Sequence, residues 1–393
     1  MTSPTAPEPV RAGAEADRVQ VLGGGLMGLA VAHALARRAI PVTVLSRRRS
    51  EAAGFVAAGM LAPHAEGLSG ALLALGQRSL ALVPEWVATV EADSGLPCGL
   101  RPCGIVVPFR DAAARDAYPT AAWGTPLDRR GLEQEVPGIG AAWQAALLFG
   151  QDGQIDNRRQ LMRALERACV ERAVRFEEGT EVVELLRETG SGALSGLRLQ
   201  RANGQTLTMA SRRAVLCGGA WSARLLPELP VFPVKGQMLS LQAPRQALSR
   251  VIFGPGTYLV PREDGLLVVG ATSEAGAGFA DGLTPAGQRQ LELGLTALLP
   301  EAARWPPMER WWGFRPCTPD EGPLLGESPV PGLSLACGHH RNGVLLAAVT
   351  ARLLADRLSG NGLAKPSDPD LDAFSWRRFS SERIDPQAPS AGA

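Results

Sequence analysis

The chain has 393 residues, enough for two domains or one two-lobed unit with a large core. Lys and Arg number 40 against 39 Asp and Glu, so a net charge of +1 gives no support to nucleic acid as a partner. Six cysteines without a CxxC pair and only four histidines leave little from which to build a metal site, and the apolar-flanked thiols suit buried structural roles in a reducing cytoplasm. Residues 1–17 are rich in Pro, Ala and Glu, lack the apolar core of a signal peptide and read as a disordered lead-in. No apolar run reaches membrane-spanning length.

The body opens with a β-α-β pattern. Val19 to Leu22 is a short strand, Gly23 to Gly28 a tight glycine turn, Leu29 to Arg38 a helix apolar on nearly every side, and Pro41 to Leu45 a second, wholly apolar strand of the kind found in parallel sheets. Leu72 to Glu91 predicts a long amphipathic helix, kinked or broken near Pro84. A strand at Gly104 to Pro108 follows, then a helix from Asn157 to Arg172 and strands at 175–186, 194–209 and 214–219. Phe232 to Leu241, Tyr258 to Pro261 and Leu266 to Ala271 read as further strands, the last two joined by a hairpin at Asp264-Gly265. A helix at Thr284 to Leu299, a strand at Leu333 to Cys337 and a helix at Val344 to Leu358 complete the body. Beyond Lys365 the chain turns polar and Pro-rich, although Phe374, Trp376 and Phe379 are suited to docking on the body.

Gly23-x-Gly25-x-x-Gly28 follows a strand and opens a helix, which is the dinucleotide-binding arrangement. The first glycine makes the turn, the second admits the pyrophosphate, the third lets helix pack on strand, and the helix N-terminus attracts the phosphates. The acidic residue that normally ends the second strand is replaced by Ser46, followed by Arg47, Arg48 and Arg49. Serine plus arginines suits the 2′-phosphate of NADP; equally, Ser46 can bond the ribose of FAD while the arginines face solvent. The fingerprint leaves both open.

Five further segments occur in a telling order. They are Ala57-Ala58-Gly59-Met60-Leu61-Ala62-Pro63-His64-Ala65-Glu66, Pro233-Val234-Lys235-Gly236-Gln237, Tyr258 to Pro261 with Val268 to Thr272, Trp312-Gly313-Phe314-Arg315-Pro316, and Gly338 to Gly343. Together they resemble the glycine oxidases of the D-amino acid oxidase group of flavoproteins, a group that includes the oxidase of thiamin biosynthesis. The resemblance spans nearly everything from Arg18 to Leu358. It implies a two-lobed α/β flavoprotein, with a Rossmann-like FAD-binding domain and a substrate domain built on a mixed, largely antiparallel sheet. The expected division gives residues 18–85, 150–222 and 312–365 to a discontinuous FAD domain, 86–149 and 223–311 to the substrate domain, and 366–393 to a tail.

The resemblance also implies a reaction. A neutral amine pushes, the α-carbon of glycine or another small amine gives up hydride to flavin N5, and an imine forms, then glyoxylate and ammonia. Oxygen returns as hydrogen peroxide, and the imine serves thiazole synthesis, with the thiazole synthase as a partner and a homo-oligomer as the assembly. Such chemistry asks the protein mainly to align two reactants, which accords with the absence of a His/Asp or Ser/His constellation. Arg315 offers a two-donor fork to the substrate carboxylate, Tyr258 a phenolic donor, and Arg341 a second charge. Gly256 and Ser273 are small enough to line the pocket. FAD, held without a covalent bond, is expected against Gly23, Gly25, Leu26, Met27, Gly28, Ser46, Arg47, Ala53, Gly54, Ala58, Gly59, Met60, Val182, Gly218, Trp221, His339, His340, Arg341, Asn342, Gly343, Val344 and Leu345. Cys317 follows the arginine motif at a spacing unlike that of the sarcosine oxidases whose cysteine carries the flavin. The alternatives are a D-amino acid or sarcosine oxidase or dehydrogenase of the same fold, and a non-catalytic flavin scaffold.

Overall fold

A computed structural model of the chain describes residues 18–360 and 368–380. The lead-in expected at 1–17 and most of the expected tail lie outside the described residues. Two large sheets organise the molecule. The first has six strands in the order Leu324–Glu327, Leu333–Cys337, Ala214–Leu216, Val19–Leu22, Val42–Ser46 and Arg175–Glu178. All neighbours in it run parallel except the outermost strand Leu324–Glu327. Val19, Val21 and Val44 are wholly buried, as strands covered on both faces must be. Helices Leu26–Ala36, Gly70–Ser94, Met162–Glu171 and Gly343–Ser359 share one core with it.

The second sheet has eight strands in the order Pro307–Cys317, Phe232–Gln242, Leu266–Gly270, Thr257–Pro261, Val251–Gly254, Ile105–Phe109, Ala145–Phe149 and Thr125–Asp128. One adjacent pair, Val251–Gly254 with Ile105–Phe109, is parallel; the others are antiparallel. Leu291, Leu295 and Leu298 of helix Pro285–Leu298 cover one of its faces, and Thr284 caps that helix by accepting from the Gly287 N–H at 3.1 Å. Two three-stranded sheets complete the fold. One is Thr180–Arg187, Leu194–Arg201 and Thr206–Ala210; the other joins Met60–Leu61 and Leu100–Arg101 to Gly153–Ile155.

Four local expectations are corrected. Helix Gly70–Ser94 runs unbroken through Pro84. Pro84 sits on its exposed side, while Val83, Val87 and Val90 remain buried in the shared core and hold the helix together where one backbone hydrogen bond is lost. The strand expected over 175–186 divides at Gly179, whose φ of +72° turns the chain from the six-stranded sheet into a three-stranded one. The helix expected from Asn157 begins as a wide π turn, Asn157–Leu161, before its regular part at Met162–Glu171. The boundary expected at residue 312 falls inside strand Pro307–Cys317, which pairs with Phe232–Gln242 from Phe232↔Cys317 to Leu241↔Pro307 and so lies in the eight-stranded sheet.

The docking expected of the tail aromatics is present. Phe374 is buried in the main core, its carbonyl accepts from the Leu325 N–H at 3.0 Å, and Trp376 and Phe379 pack against a neighbouring cluster. Replacing Phe374 by alanine is therefore expected to cost about 3–5 kcal/mol of unfolding free energy, read as a lower midpoint in denaturant titration. An unchanged midpoint shows that residues 368–380 contribute nothing to the folded state.

Candidate active site and cofactor cavity

The two large sheets meet at a cavity of about 590 Å³, within the range usual for ligand sites. One end is built from backbone. Gly23 has a φ of +125°, and a Cβ there would overlap the carbonyl oxygen of Cys217 on the neighbouring strand. Helix Leu26–Ala36 starts at Gly25 without any side-chain cap, so its first N–H groups remain available at the cavity wall. Gly59, φ +86°, packs so closely on Ile155 that a Cβ would overlap its carbonyl oxygen. That turn is pinned from behind by buried Arg262, whose Nη2 donates to the Ala58 carbonyl at 2.5 Å and whose Nη1 donates to Gln154. Backbone that approaches this closely, beside uncapped helix N–H groups, fits the pyrophosphate and the flat ring of a flavin dinucleotide.

The arginine run is already engaged. Arg47 and Arg48 reach Glu51 at 2.5 and 2.8 Å, and Arg49 bridges Glu178 and Glu166, each at 2.9 Å. Ser46, by contrast, is nearly buried at the end of its strand and lines the cavity. The site therefore offers a hydroxyl at the ribose position but guanidinium groups occupied by carboxylates. This weighs against a 2′-phosphate and for FAD.

The other end holds the polar side chains. Arg315 lies on strand Pro307–Cys317 opposite Val234, and its guanidinium crosses Gly236, where any Cβ would collide with it. Nη1 donates to the Thr272 carbonyl at 3.0 Å, and among the described residues no carboxylate pairs with the guanidinium. The Tyr258 ring lies over Gly270 in the same way, and its hydroxyl meets Met238 Sδ at 3.5 Å. Burial pushes the Tyr258 pKa up against the opposing charge of Arg315, so the phenol stays a neutral donor. Arg341 donates from Nε at 3.1 Å and Nη2 at 2.9 Å to one oxygen, Oε2, of Glu66.

Glu66 also lines the cavity, with only 6% of its side chain exposed. Burial raises its pKa, while Arg341 and Arg315 pull it back down. Sequence reading placed Glu66 in a motif but gave it no role. The only available signal was its position three residues beyond Pro63, because its partner lies 275 residues away.

Most residues expected at the site line the cavity: Gly23, Gly25, Leu26, Met27, Ser46, Arg47, Ala53, Gly54, Ala58, Gly59, Met60, Val182, Gly218, Trp221, Tyr258, Arg315, His339, His340, Arg341, Gly343 and Val344. Gly256 and Ser273 line it too. Gly28, Asn342 and Leu345 do not. A Cβ on Gly28 would overlap the Gly23 carbonyl, so this glycine serves helix–strand packing; Asn342 is buried in its turn, and Leu345 belongs to the core, its carbonyl accepting from Ser79 at 2.5 Å. Cys317 is buried away from the wall, donates to the Thr318 carbonyl at 3.4 Å and has its pKa pushed up to about 12 by burial, an inert thiol.

Known proteins of this shape exist. The model of the family described as DAO, FAD dependent oxidoreductase, matches residues 18–357. A bifunctional protein ThiO/ThiG of Synechocystis sp. is 40% identical over 92% of this chain; the chain spans about half of that relative, 54% of its length. The glycine oxidase of Pseudomonas aeruginosa is 33% identical over 88% of this chain and 95% of its own. The crystal structure of glycine oxidase from Geobacillus kaustophilus superposes with a TM-score of 0.82 at 30% identity, covering 92% of this chain and 98% of that one.

The two histidines of the final turn give a pH signature. Burial drives the pKa of His339 down to about 3, and its Nε2 sits 3.0 Å from Thr350 Oγ1. Between pH 6.5 and about 3 the unfolded chain binds a proton there that the folded chain refuses, so stability falls as pH drops through that window. His339→Gln should flatten the loss by about 1.4 kcal/mol per pH unit between about pH 6 and 4, measured by denaturant titration. Parallel profiles for the two proteins contradict a neutral, buried His339.

Proposed function

The chain belongs to the family of FAD dependent oxidoreductases, and on that premise we propose that it oxidises glycine to the imine, with oxygen as the final acceptor. Bound FAD supplies the two-electron acceptor for this chemistry. The observation that carries the reading is the geometry of Arg315: a guanidinium at the cavity wall with one donor fixed on Thr272 and no carboxylate of the described chain on the rest of its fork. A substrate carboxylate matches that fork in plane and charge.

The chain's residues divide the work. Arg315 holds the carboxylate and Tyr258 adds a neutral hydroxyl donor beside it. Arg341, braced on Glu66, adds positive charge to the same end. The turn at Ala57–Gly59 and Met60 presents small residues and backbone to the ring of the cofactor. Holding one C–H at a fixed angle to that ring is the catalytic contribution available from such a wall. Gly256 and Ser273 leave little side chain at the wall near Tyr258, and full-length relatives named glycine oxidase support glycine as the substrate.

We extend the proposal to the setting. Relatives named ThiO/ThiG support delivery of the imine to a thiazole synthase. Six free cysteines, five of them buried, support the cytoplasm as the compartment, and no described helix is long and apolar enough to cross a membrane.

Anaerobic mixing of the yellow holoprotein with glycine is expected to bleach the flavin band. Persistent absorbance with glycine, N-methylglycine and small D-amino acids overturns the reading. Arg315→Ala should lower the reduction rate at subsaturating glycine by roughly 10²–10³-fold, the scale of an orphaned charge partner. Arg315→Lys, which keeps charge and loses the fork, should recover only part of it.

A further inference from the structure

Resting on the reading of this cavity as an amino acid site, we infer that Glu66 is a further catalytic residue: its Oε1 receives the substrate's ammonium group and takes the proton that must leave before the α-carbon is oxidised. A free amino acid near neutral pH carries an ammonium, whose nitrogen has no lone pair with which to expel hydride. One N–H bond must break, its electrons staying on nitrogen. In that transfer the glycine zwitterion and the Glu66 carboxylate become the glycinate anion, with a neutral amine, and the Glu66 carboxylic acid. One proton moves, the total charge stays at minus one, and nothing is oxidised. The two electrons leave the α-carbon only afterwards, and bound FAD would supply their acceptor.

Elimination points to this side chain. Among the described residues three acids line the cavity: Glu51, Glu66 and Glu181. Glu51 holds Arg47 and Arg48, and Glu181 faces Arg47 at 3.9 Å, both at the nucleotide end. His339 and His340 line the polar end, but burial makes both very weak bases. No described lysine lines the cavity. Glu66 is the remaining acceptor, and its two oxygens are not equivalent. Oε2 takes both Arg341 donors, whereas Oε1 has no hydrogen-bond partner among the described residues. A carboxylate with one oxygen braced and the other free is aimed rather than merely present.

The turn that carries it is clamped. The Ala65 N–H donates to Asp152 Oδ2 at 2.8 Å and the His64 ring to Asp152 Oδ1 at 2.6 Å. Tyr118 donates to the Ala65 carbonyl at 2.7 Å, Thr120 to the His64 carbonyl at 2.6 Å, and the Glu66 N–H to Ala62 at 3.0 Å. The charged and titratable groups that face it come from several elements: Arg341 on the final turn, Arg315 on the edge strand, Tyr258 on Thr257–Pro261, Asp152 before Gly153–Ile155, and Tyr118. Burial and Asp152 favour uptake of a proton while the two guanidiniums oppose it, and the net effect of these groups is a carboxyl with a proton affinity above the ordinary range, still paired with Arg341.

The test uses holoenzyme with Glu66→Gln, anaerobic reduction by glycine across a pH series, and glycolate, which lacks the amine, as a binding probe read by perturbation of the flavin spectrum. The expected result is a loss of about 10²-fold in reduction near neutral pH. That loss should shrink as pH rises into the range where free glycine sheds its own proton, with glycolate binding preserved. Equal losses for glycine and glycolate at every pH overturn the inference and leave Glu66 as a brace for Arg341; unchanged reduction overturns it outright. If Glu66→Gln does not retain FAD, Glu66→Asp, which keeps the acid but withdraws it by one methylene, must show the same split between the two probes or the inference fails. Wild-type enzyme that glycine never reduces counts against the substrate reading instead, a different outcome from a wild type that works and a variant that works equally well.

Discussion

The polar end of the cavity depends on two close approaches that only glycine permits. Arg315 crosses its neighbouring strand over Gly236, and Tyr258 crosses the strand beside it over Gly270. A methyl group at either position would displace the side chain that lies above it. The register Gly236↔Gly313, with Val234↔Arg315 beside it, thus decides where the positive charge stands. Because Pro307–Cys317 is an edge strand paired on one side, its position is set by that single ladder, and an error of one residue would turn Arg315 to the other face of the sheet.

The nucleotide end follows the same rule with other residues. Gly23 and Gly59 bring backbone to within contact of Cys217 and Ile155, and Arg262 fastens the second approach by bonding Ala58 and Gln154 together. Arg262 is nearly buried, and burial lowers its pKa to about 10, yet it stays charged because Asp156 stands 3.8 Å away. A buried cation of this kind gains little stability for the fold. What it contributes is a fixed position for a turn whose sequence, Ala-Ala-Gly, has no side chains to fix it.

Much of this was legible in the sequence, for a physical reason. Strands buried on both faces read as short, largely apolar runs, and Val19–Leu22 and Leu333–Cys337 were found at their bounds; Phe232–Gln242, found within a residue, carries Lys235, Gln237 and Ser240 among its apolar residues. Glycines required by a local turn sit within a few residues of what they serve, so the fingerprint and the final turn could be read directly. Long-range pairs could not. Arg49 finds Glu178 across 129 residues, Glu66 finds Arg341 across 275, and Ala58 finds Arg262 across 204. The ambiguity at Ser46 was in part of this type: Arg49 looked free because Glu178 and Glu166 lie in other segments, whereas Arg47 and Arg48 pair with Glu51 within four residues. The π turn at Asn157 and the division at Gly179 were hidden for the opposite reason, since a single residue's geometry interrupts an otherwise regular pattern.

The charge of the cavity follows from which groups burial silences. His339 and His340 stand at its wall, and were either one protonated the substrate end would carry three cations or more. Burial forbids that, and the nearby guanidiniums of Arg315 and Arg341 forbid it further for His340. Among the described groups at that end, the charges that remain are Arg315, Arg341 and its partner Glu66. On the proposed reading the zwitterion brings its carboxylate to Arg315 and its ammonium to Glu66. Once the ammonium proton has passed to Glu66, the two guanidiniums face a bound anion, a pairing of opposite charge that favours the transfer, with Arg315 reading the end of the molecule that stays charged throughout.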